Sequence, residues 1–179
     1  MKATGIVRRI DELGRIVIPK EIRRTLRIRE GDPLEIYTDR EGGIILRKYS
    51  PIGELASFAL DFSEALAKTL DTTVIVCDRD TVLAASGEHK RDYTERPVSS
   101  ALEEAMGTRG TFRKEGTSVI PLVTGENVSQ TAYQLIAPIH MDGQPIGAIV
   151  LLSRDAPIDD AAQKAAEAAA VFLGRQMQQ

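Results

Sequence analysis

The 179-residue sequence contains one cysteine, two histidines and no long hydrophobic run. A lone cysteine, Cys77, cannot form an internal disulfide, and the widely separated His89 and His140 do not form a metal-binding cluster. The longest apolar run, IGAIVLL at 146–152, is far shorter than the ~20 residues that a membrane span requires. No apolar stretch of signal-peptide length follows the basic N-terminal residues. We therefore expect a cytoplasmic protein without metal, disulfide or membrane chemistry.

Three other candidate chemistries have simpler structural explanations. The segment GTRGTFRKEG (107–116) contains glycines but lacks the Lys-Ser/Thr pair of a phosphate-binding loop, so we predict a mobile loop there. Asp78 and Asp80 flank a hairpin turn and are explained as turn formers. Cys77 lies on an apolar strand without a cationic neighbour, which favours a buried small hydrophobe over a nucleophile. We expect a protein that is not an enzyme and needs no cofactor.

The charges are distributed unevenly along the chain. Residues 1–50 carry 12 Lys and Arg against 8 Asp and Glu, whereas the remainder carries 11 against 18. Clustered basic charge is typical of a nucleic-acid contact, and an acidic remainder keeps a protein away from other polyanions. We therefore predict two domains, at 1–50 and 57–179, with residues 51–56 forming a linker and the start of a connecting helix.

The front segment is predicted to contain four short strands and one helix. The strands are expected at 4–10, 15–18, 34–38 and 44–49, and Pro19 favours a helix start that gives a helix at 20–26. About fifty residues with little apolar core are marginally stable alone. Because no disulfide or metal is available, we expect a second chain to complete the fold, as an interlocked homodimer.

The stretch GRIVIPKEIRRTL (14–26) carries most of the information about function. Ile22 and Leu26 share one face of the predicted helix and are expected to pack on the strands. The arginines Arg23, Arg24 and Arg27 lie on other faces and point outward. A planar guanidinium can donate two parallel hydrogen bonds to a phosphate, although a solvated charged face would have the same composition.

The first 49 residues resemble the DNA-binding domain of the AbrB transition-state regulator family. The motifs G-x-V-R, D-x-L-G-R-x-x-I-P and E-x-R-R are present, followed by LEIY. The resemblance implies a swapped-hairpin β-barrel in which two chains intertwine, and degenerate recognition of A/T-rich double-stranded DNA. It places the DNA contacts on Arg8, Arg15, Arg23 and Arg24. The neighbours Lys2, Arg9, Lys20 and Arg27 are supporting at most.

The back segment is predicted to begin with a long helix that runs to about Leu70. Ser50 is a plausible N-cap and Pro51 the first helical residue. Five apolar residues and a threonine then follow a 3-4-3-4-3 spacing, at Ile52, Leu55, Ala59, Phe62, Leu66 and Thr69. This spacing fits a short coiled-coil-like seam between chains and equally a helix packed on its own domain. Further elements are predicted as strands at 72–78, 81–86, 118–123, 132–140 and 145–153 and as helices at 98–106 and 158–177.

The order of these elements resembles that of a GAF-like or PAS-like sensor domain. The phrases VIVCDRDTVLAASG and PIHMDGQPIGAIVLLSRD resemble the first and last hairpins of a GAF domain. The fold class is therefore predicted as α+β, an AbrB-like barrel followed by a GAF-like domain. Some GAF domains reduce methionine sulfoxide, but that reaction needs more than one cysteine.

The whole chain resembles a family of transcription regulators from endospore-forming bacteria. The resemblance implies a DNA-binding activator or repressor whose GAF-like domain senses a small molecule, in a cleft covered by the helix at 98–106 and the loops at 107–117 and 124–131. The seam helix and the last helix, whose small Ala161, Ala165 and Ala169 permit close helix approach, are expected to pair the back domains, so that a homotetramer forms as a dimer of dimers. The alternative to sensing is that this domain only drives oligomerisation. The alternative for the whole protein is an antitoxin, which would carry a short acidic tail rather than a folded domain.

Overall fold

The computed structural model describes residues 4–50, 52 and 56–176. The chain divides into two compact units, Met1–Tyr49 and Ser50–Gln179. Four positions used in the sequence interpretation lie outside the described residues: Lys2, Pro51, Leu55 and Met177. In the described part of the chain no helix is long and apolar enough to cross a membrane.

The front unit contains one short helix and one β-hairpin in its described residues. Helix α1 spans Lys20–Thr25, and the antiparallel strands β1 and β2 span Leu34–Thr38 and Ile44–Lys48. Pro19 precedes α1 with φ −57°, and acidic Glu21 lies in the first turn, where the helix dipole favours a negative charge. The predictions for this helix and this hairpin are confirmed.

The strands predicted at 4–10 and 15–18 are wrong for the single chain, since both segments lie outside regular secondary structure. A strand requires a neighbour to accept and donate its backbone hydrogen bonds, and these segments form no ladder with the described residues of their own unit. Leu26, which was expected to pack on the strands, is 56% exposed. Among the described residues up to Tyr49, Pro19 alone is buried. One copy of the front unit therefore lacks a hydrophobic core.

The back unit is built on a five-stranded antiparallel sheet with helices on its faces. Helix α2 spans Ala56–Leu70, α3 spans Ser100–Met106 and α4 spans Asp160–Gln176. The strands are β3 (Thr73–Asp78), β4 (Val82–Ser86), β5 (Phe112–Glu115), β6 (Tyr133–Met141) and β7 (Gln144–Ser153), in the spatial order β4-β3-β7-β6-β5.

Alternate residues of these strands feed two separate hydrophobic cores, as the period of a strand requires. On one face, side chains such as Val74, Val76 and Leu135 pack with the alanines and Leu173 of α4 and with Ala59 of α2. The opposite face, with Ile75, Cys77 and Ile136, packs beneath α3 and the segment that follows it. The central strands β3 and β7 are therefore apolar on both faces.

The strand predicted at 118–123 is wrong, and a strand instead occupies part of the predicted mobile loop. Strand β5 pairs with β6 between Phe112 and Ile136 and between Glu115 and Tyr133. At Ile120 the backbone N–H and carbonyl are satisfied by the amide side chain of buried Gln134, at 3.2 and 2.9 Å. These two bonds to a side chain take the place of the backbone hydrogen bonds that a strand would make at Ile120. The following Pro121 has no N–H to donate to a neighbouring strand.

The interpretations of the β3–β4 turn and of Cys77 are confirmed. The Asp78 carboxylate accepts hydrogen bonds from the backbone N–H groups of Asp80 and Thr81, both at 2.7 Å, and so holds the turn. Cys77 is completely buried, and burial raises the pKa of its thiol to about 12.

Candidate nucleic-acid interface

Arg15 is held in place by the turn that precedes it. The Asp11 carboxylate accepts from the backbone N–H groups of Leu13 and Arg15 at 3.0 and 2.8 Å. It also pairs with the Arg15 side chain through Nε at 2.8 Å. Gly14 completes the turn with φ +76°, a conformation that favours glycine. The hydrogen bonds from Arg15 hold the pKa of Asp11 below its ordinary value.

This geometry makes Asp11 a positioning residue that the sequence reasoning did not identify. The carboxylate engages Nε of Arg15 and leaves the two terminal guanidinium nitrogens directed elsewhere. Terminal nitrogens in a planar fork are the donors that match a phosphate. The signal in the sequence was the spacing D-x-x-x-R around a glycine, which places a turn-forming carboxylate next to the arginine.

Arg23 and Arg24 are adjacent on α1 and differ in environment. Arg24 is exposed, whereas Arg23 is half-buried, and its buried Nε has no hydrogen-bond partner among the described residues. Lys20 at the start of the helix and Arg27 just after it are exposed. The short helix and the residue that follows it thus place several cationic side chains within about one and a half turns.

Arg8 and Arg9 lie in the segment 4–10 and are exposed. A terminal nitrogen of Arg8 donates to the carbonyl of Val7 at 3.3 Å, and among the described residues no carboxylate pairs with either arginine. The four motif arginines are thus cationic and lie at the surface of the front unit, with Arg23 partly covered. Such a set can hold the oxygens of a polyanion backbone.

In the back unit, the sheet face expected to hold a ligand cleft is filled. Leu102 and Met106 of α3 and Leu122 of the following segment are fully buried against this face. The predicted cleft beneath the helix is therefore occupied by the protein's own side chains. A large cavity lies instead at one end of the sheet, where the loops after β4 and β7 meet the loop at 125–131.

The seam residues of α2 point mainly into their own domain. Ala59 is fully buried, and Phe62 and Leu66 pack against the same core. The Phe62 ring contacts Phe172 of α4 with centroids 5.1 Å apart. Of the small residues expected at a helix contact, Ala169 is buried, Ala165 is half-buried and Ala161 is exposed. Large apolar side chains that remain exposed on the two helices are Phe58, Leu60, Val171 and Phe172.

Comparison with known families matches two parts of the chain. Residues 54–178 match the model described as stage V sporulation protein T C-terminal, transcription factor. Residues 7–54 match the model described as antidote-toxin recognition MazE, bacterial antitoxin. The stage V sporulation protein T of Bacillus subtilis (strain 168) is 51% identical over 179 residues, which is 100% of both chains. The chain belongs to the stage V sporulation protein T family.

The chain is also similar to two further proteins, one in sequence and one in fold. The transition state regulatory protein AbrB of Bacillus subtilis (strain 168) is 69% identical over 51 residues, covering 28% of this chain and 52% of AbrB. The cofactor-binding GAF domain of the nutrient sensor CodY from Clostridium difficile is 19% identical, with a TM-score of 0.54, and the match covers 88% of this chain and 94% of that domain. The predicted α+β class and the two predicted domain types of this chain, AbrB-like and GAF-like, are confirmed.

Proposed function

We propose that this protein regulates transcription of sporulation-stage genes by binding double-stranded DNA through its front unit, as a homo-oligomer in the cytoplasm. The observation that carries the proposal is the set of cationic motif arginines on the coreless front unit, within a chain of this family. Recognition is expected to be degenerate and biased to A/T-rich DNA, because contacts to phosphates depend on groove shape and deformability rather than base identity.

The front unit requires a second copy to form a hydrophobic core. Large apolar side chains remain open to solvent in its described residues, namely Ile6, Val7, Ile10, Leu13, Ile16, Val17, Leu26, Ile36, Ile44 and Leu46. Many large exposed apolar side chains on so small a unit are typical of a protein–protein interface. An intertwined dimer would give the segments at 4–10 and 15–18 strand partners and would double the number of arginines offered to DNA.

The test is DNA binding by alanine variants of the four arginines. Binding of an A/T-rich duplex, followed by fluorescence anisotropy, should weaken for Arg→Ala at 8, 15, 23 and 24. The matched control is Arg109→Ala, because Arg109 is an exposed arginine of the back unit. Wild-type affinity in all four variants, with unchanged circular dichroism spectra, would refute the proposed interface.

The outer faces of α2 and α4 are proposed to pair chains further, so that two front-unit dimers form a tetramer. The exposed Phe58 and Leu60 of α2 and Val171 and Phe172 of α4 supply apolar surface for this contact. If the two interfaces join different pairs of chains, four chains are needed to satisfy both. Light scattering should give four chains for the wild type and two for Phe58→Ser/Val171→Ser. A wild-type mass of one chain would contradict both interfaces.

The antitoxin alternative has less support, although the front unit matches an antitoxin model. An antitoxin segment that folds on its toxin is short and lacks a core of its own. Here the chain after Tyr49 forms a unit with two hydrophobic cores. Purification from cells that make the protein should therefore yield no stoichiometric toxin, and recovery of one would favour the alternative.

We further propose that the back unit responds to a small effector molecule.

A further inference from the structure

A cavity of about 650 Å³ opens at the end of the sheet where β3 begins and β4 and β7 end. Its volume is within the range of small-molecule sites. Apart from Ala67 and Leu152, the lining side chains are polar or charged, or the residue is a glycine. Such a lining suits a hydrophilic ligand, because an apolar molecule would leave these polar groups without water.

The cavity walls are held together by hydrogen bonds from its two arginines. Arg96 donates to the carbonyls of Asp92 at 3.0 Å and Thr124 at 2.8 Å, so it braces the loop after β4 against the loop after Val123. Arg154 donates to the side-chain oxygen of Gln130 at 2.6 Å. Both guanidinium groups are thus engaged with neutral wall atoms, and the cavity is shaped before any ligand enters.

A second set of hydrogen bonds across the cavity wall engages the Glu126 carboxylate. Tyr93 donates its hydroxyl to Glu126 at 2.9 Å, and the other oxygen of Glu126 accepts from the backbone N–H of Val123 at 3.2 Å. Burial and the Glu126 charge raise the pKa of Tyr93, so its hydroxyl stays protonated and remains a donor.

The remaining electrostatics of the cavity are negative. The lining includes five carboxylates against two guanidinium groups. The side chains of Asp71, Glu88 and Asp155 are exposed and, among the described residues, have no ion-pair or hydrogen-bond partner. The C-terminal end of the 15-residue helix α2 also meets the cavity at Ala67 and Asp71, and a helix C-terminus carries partial negative charge. Carboxylates and helix dipole together favour a cation.

The same end of α2 is connected to both walls. After the helix, Thr72 donates its hydroxyl to the carbonyl of Leu152 at 2.6 Å, and Thr73 donates to that of Glu88 at 2.9 Å. Gly87 packs so closely that a Cβ there would lie 2.8 Å from the carbonyl oxygen of Thr72. Closure of the walls on a ligand would therefore act directly on the end of the first helix that follows the front unit in the chain.

We propose that this cavity binds a small hydrophilic cation that carries one or more ammonium groups, and that the C-terminal end of α2 senses its occupancy. The proposal depends on the proposed effector role of the back unit for its biological meaning. The binding itself is independent of DNA and is tested without it.

The probes are three four-carbon molecules of opposite or no charge: putrescine, succinate and 1,4-butanediol. Full-length protein titrated in a calorimeter should bind putrescine once per chain and should not bind the other two. The variant Glu88→Gln/Asp155→Asn should bind it about tenfold more weakly, since two carboxylate contacts are lost. The control Glu104→Gln/Asp61→Asn removes two exposed carboxylates outside the cavity lining and should bind like the wild type.

Hydrogen exchange locates the site independently. Putrescine should slow amide exchange at 67–73, 87–93 and 125–131 in the wild type. No putrescine binding up to about 10 mM, preferential binding of succinate or butanediol, equal weakening in the control variant, or protection confined to other segments would each overturn the proposal. Anisotropy with DNA in amine-free buffer is measured separately. Failure there would refute the proposed function and leave the cation result standing.

Discussion

The salt dependence of DNA binding should change in a specific way when Arg24 is replaced. Arg24 is exposed on α1 and, among the described residues, makes no ion pair, so its charge is available to a phosphate. If a dimer neutralises ~8 phosphates, the logarithm of the binding constant falls with a slope of about −7 against the logarithm of salt concentration. Between 50 and 200 mM salt, the affinity should then drop by about 10⁴.

Arg24→Ala removes two of these contacts from a dimer. The slope should fall in magnitude to about 5.4, and the loss of affinity over the same salt range to about 10³. The deficit of the variant relative to wild type should therefore be about tenfold larger at 50 mM than at 200 mM salt. Arg24→Lys should keep the slope but still weaken binding, because an ammonium lacks the guanidinium fork.

The assay is fluorescence anisotropy with one A/T-rich duplex at four salt concentrations, with Arg109→Ala as the control of equal charge change. Circular dichroism verifies that each variant is folded. A slope for Arg24→Ala equal to that of the wild type would show that Arg24 does not meet a phosphate. A slope change of the same size in Arg109→Ala would show that net charge, and not the front unit, sets the salt dependence.

Three further outcomes follow from the back unit. Because burial raises the pKa of Cys77 to about 12, the folded protein should react with a thiol reagent at pH 8 at least about 10³ more slowly than the protein unfolded in urea. Equal rates for the folded and unfolded protein would contradict the burial. Ser63 and Ser86 are buried with their hydroxyl oxygens 2.7 Å apart. Ser63→Ala should therefore lower the free energy of unfolding in urea by about 1–3 kcal/mol, and Ser63→Ala/Ser86→Ala should lower it by no more than that. Additive losses in the double variant would refute the coupling of the two serines. A Cβ at Gly147 would collide with the Cys77 carbonyl, so Gly147→Ala should lower stability by about 1–3 kcal/mol, and Gly107→Ala, whose Cβ would lie 3.2 Å from its nearest neighbour, should cost clearly less.

The prediction of elements succeeded where local chemistry and packing agree. Short apolar runs bounded by turn residues placed β3, β4, β6 and β7, and the proline before α1 placed a helix start, because each signal acts within a few residues. The prediction failed at 118–123, where Val119, Leu122 and Val123 are buried without being in a strand. Burial alone does not distinguish a strand from an irregular segment packed on a sheet.

The candidate DNA contacts came from the sequence, and their surroundings came from the structure. The motifs identified Arg15 and Arg23 but could not indicate that Asp11 holds Nε of Arg15 or that Nε of Arg23 is covered. In the back unit, the sequence suggested a cleft beneath α3, which Leu102 and Met106 fill, and missed the cavity at the sheet end. The residues that line this cavity come from four separate segments, which the antiparallel pairing of β3 with β4 and β7 and of β7 with β6 brings together.

The sequence by itself determined the division into a basic front and an acidic back, the helix and hairpin of the front unit, and the membership of both units in their fold classes. The charge division and the local elements depend on composition and on neighbours within a few residues, whereas the fold classes were implied by the resemblance of longer stretches to known families. Tertiary structure alone decided that the seam residues Ala59 and Phe62 face their own core, and that five carboxylates and the end of α2 converge on one cavity. Contacts between distant segments depend on strand register and on which side chains fill the limited space of the core. Local sequence patterns determine neither of these.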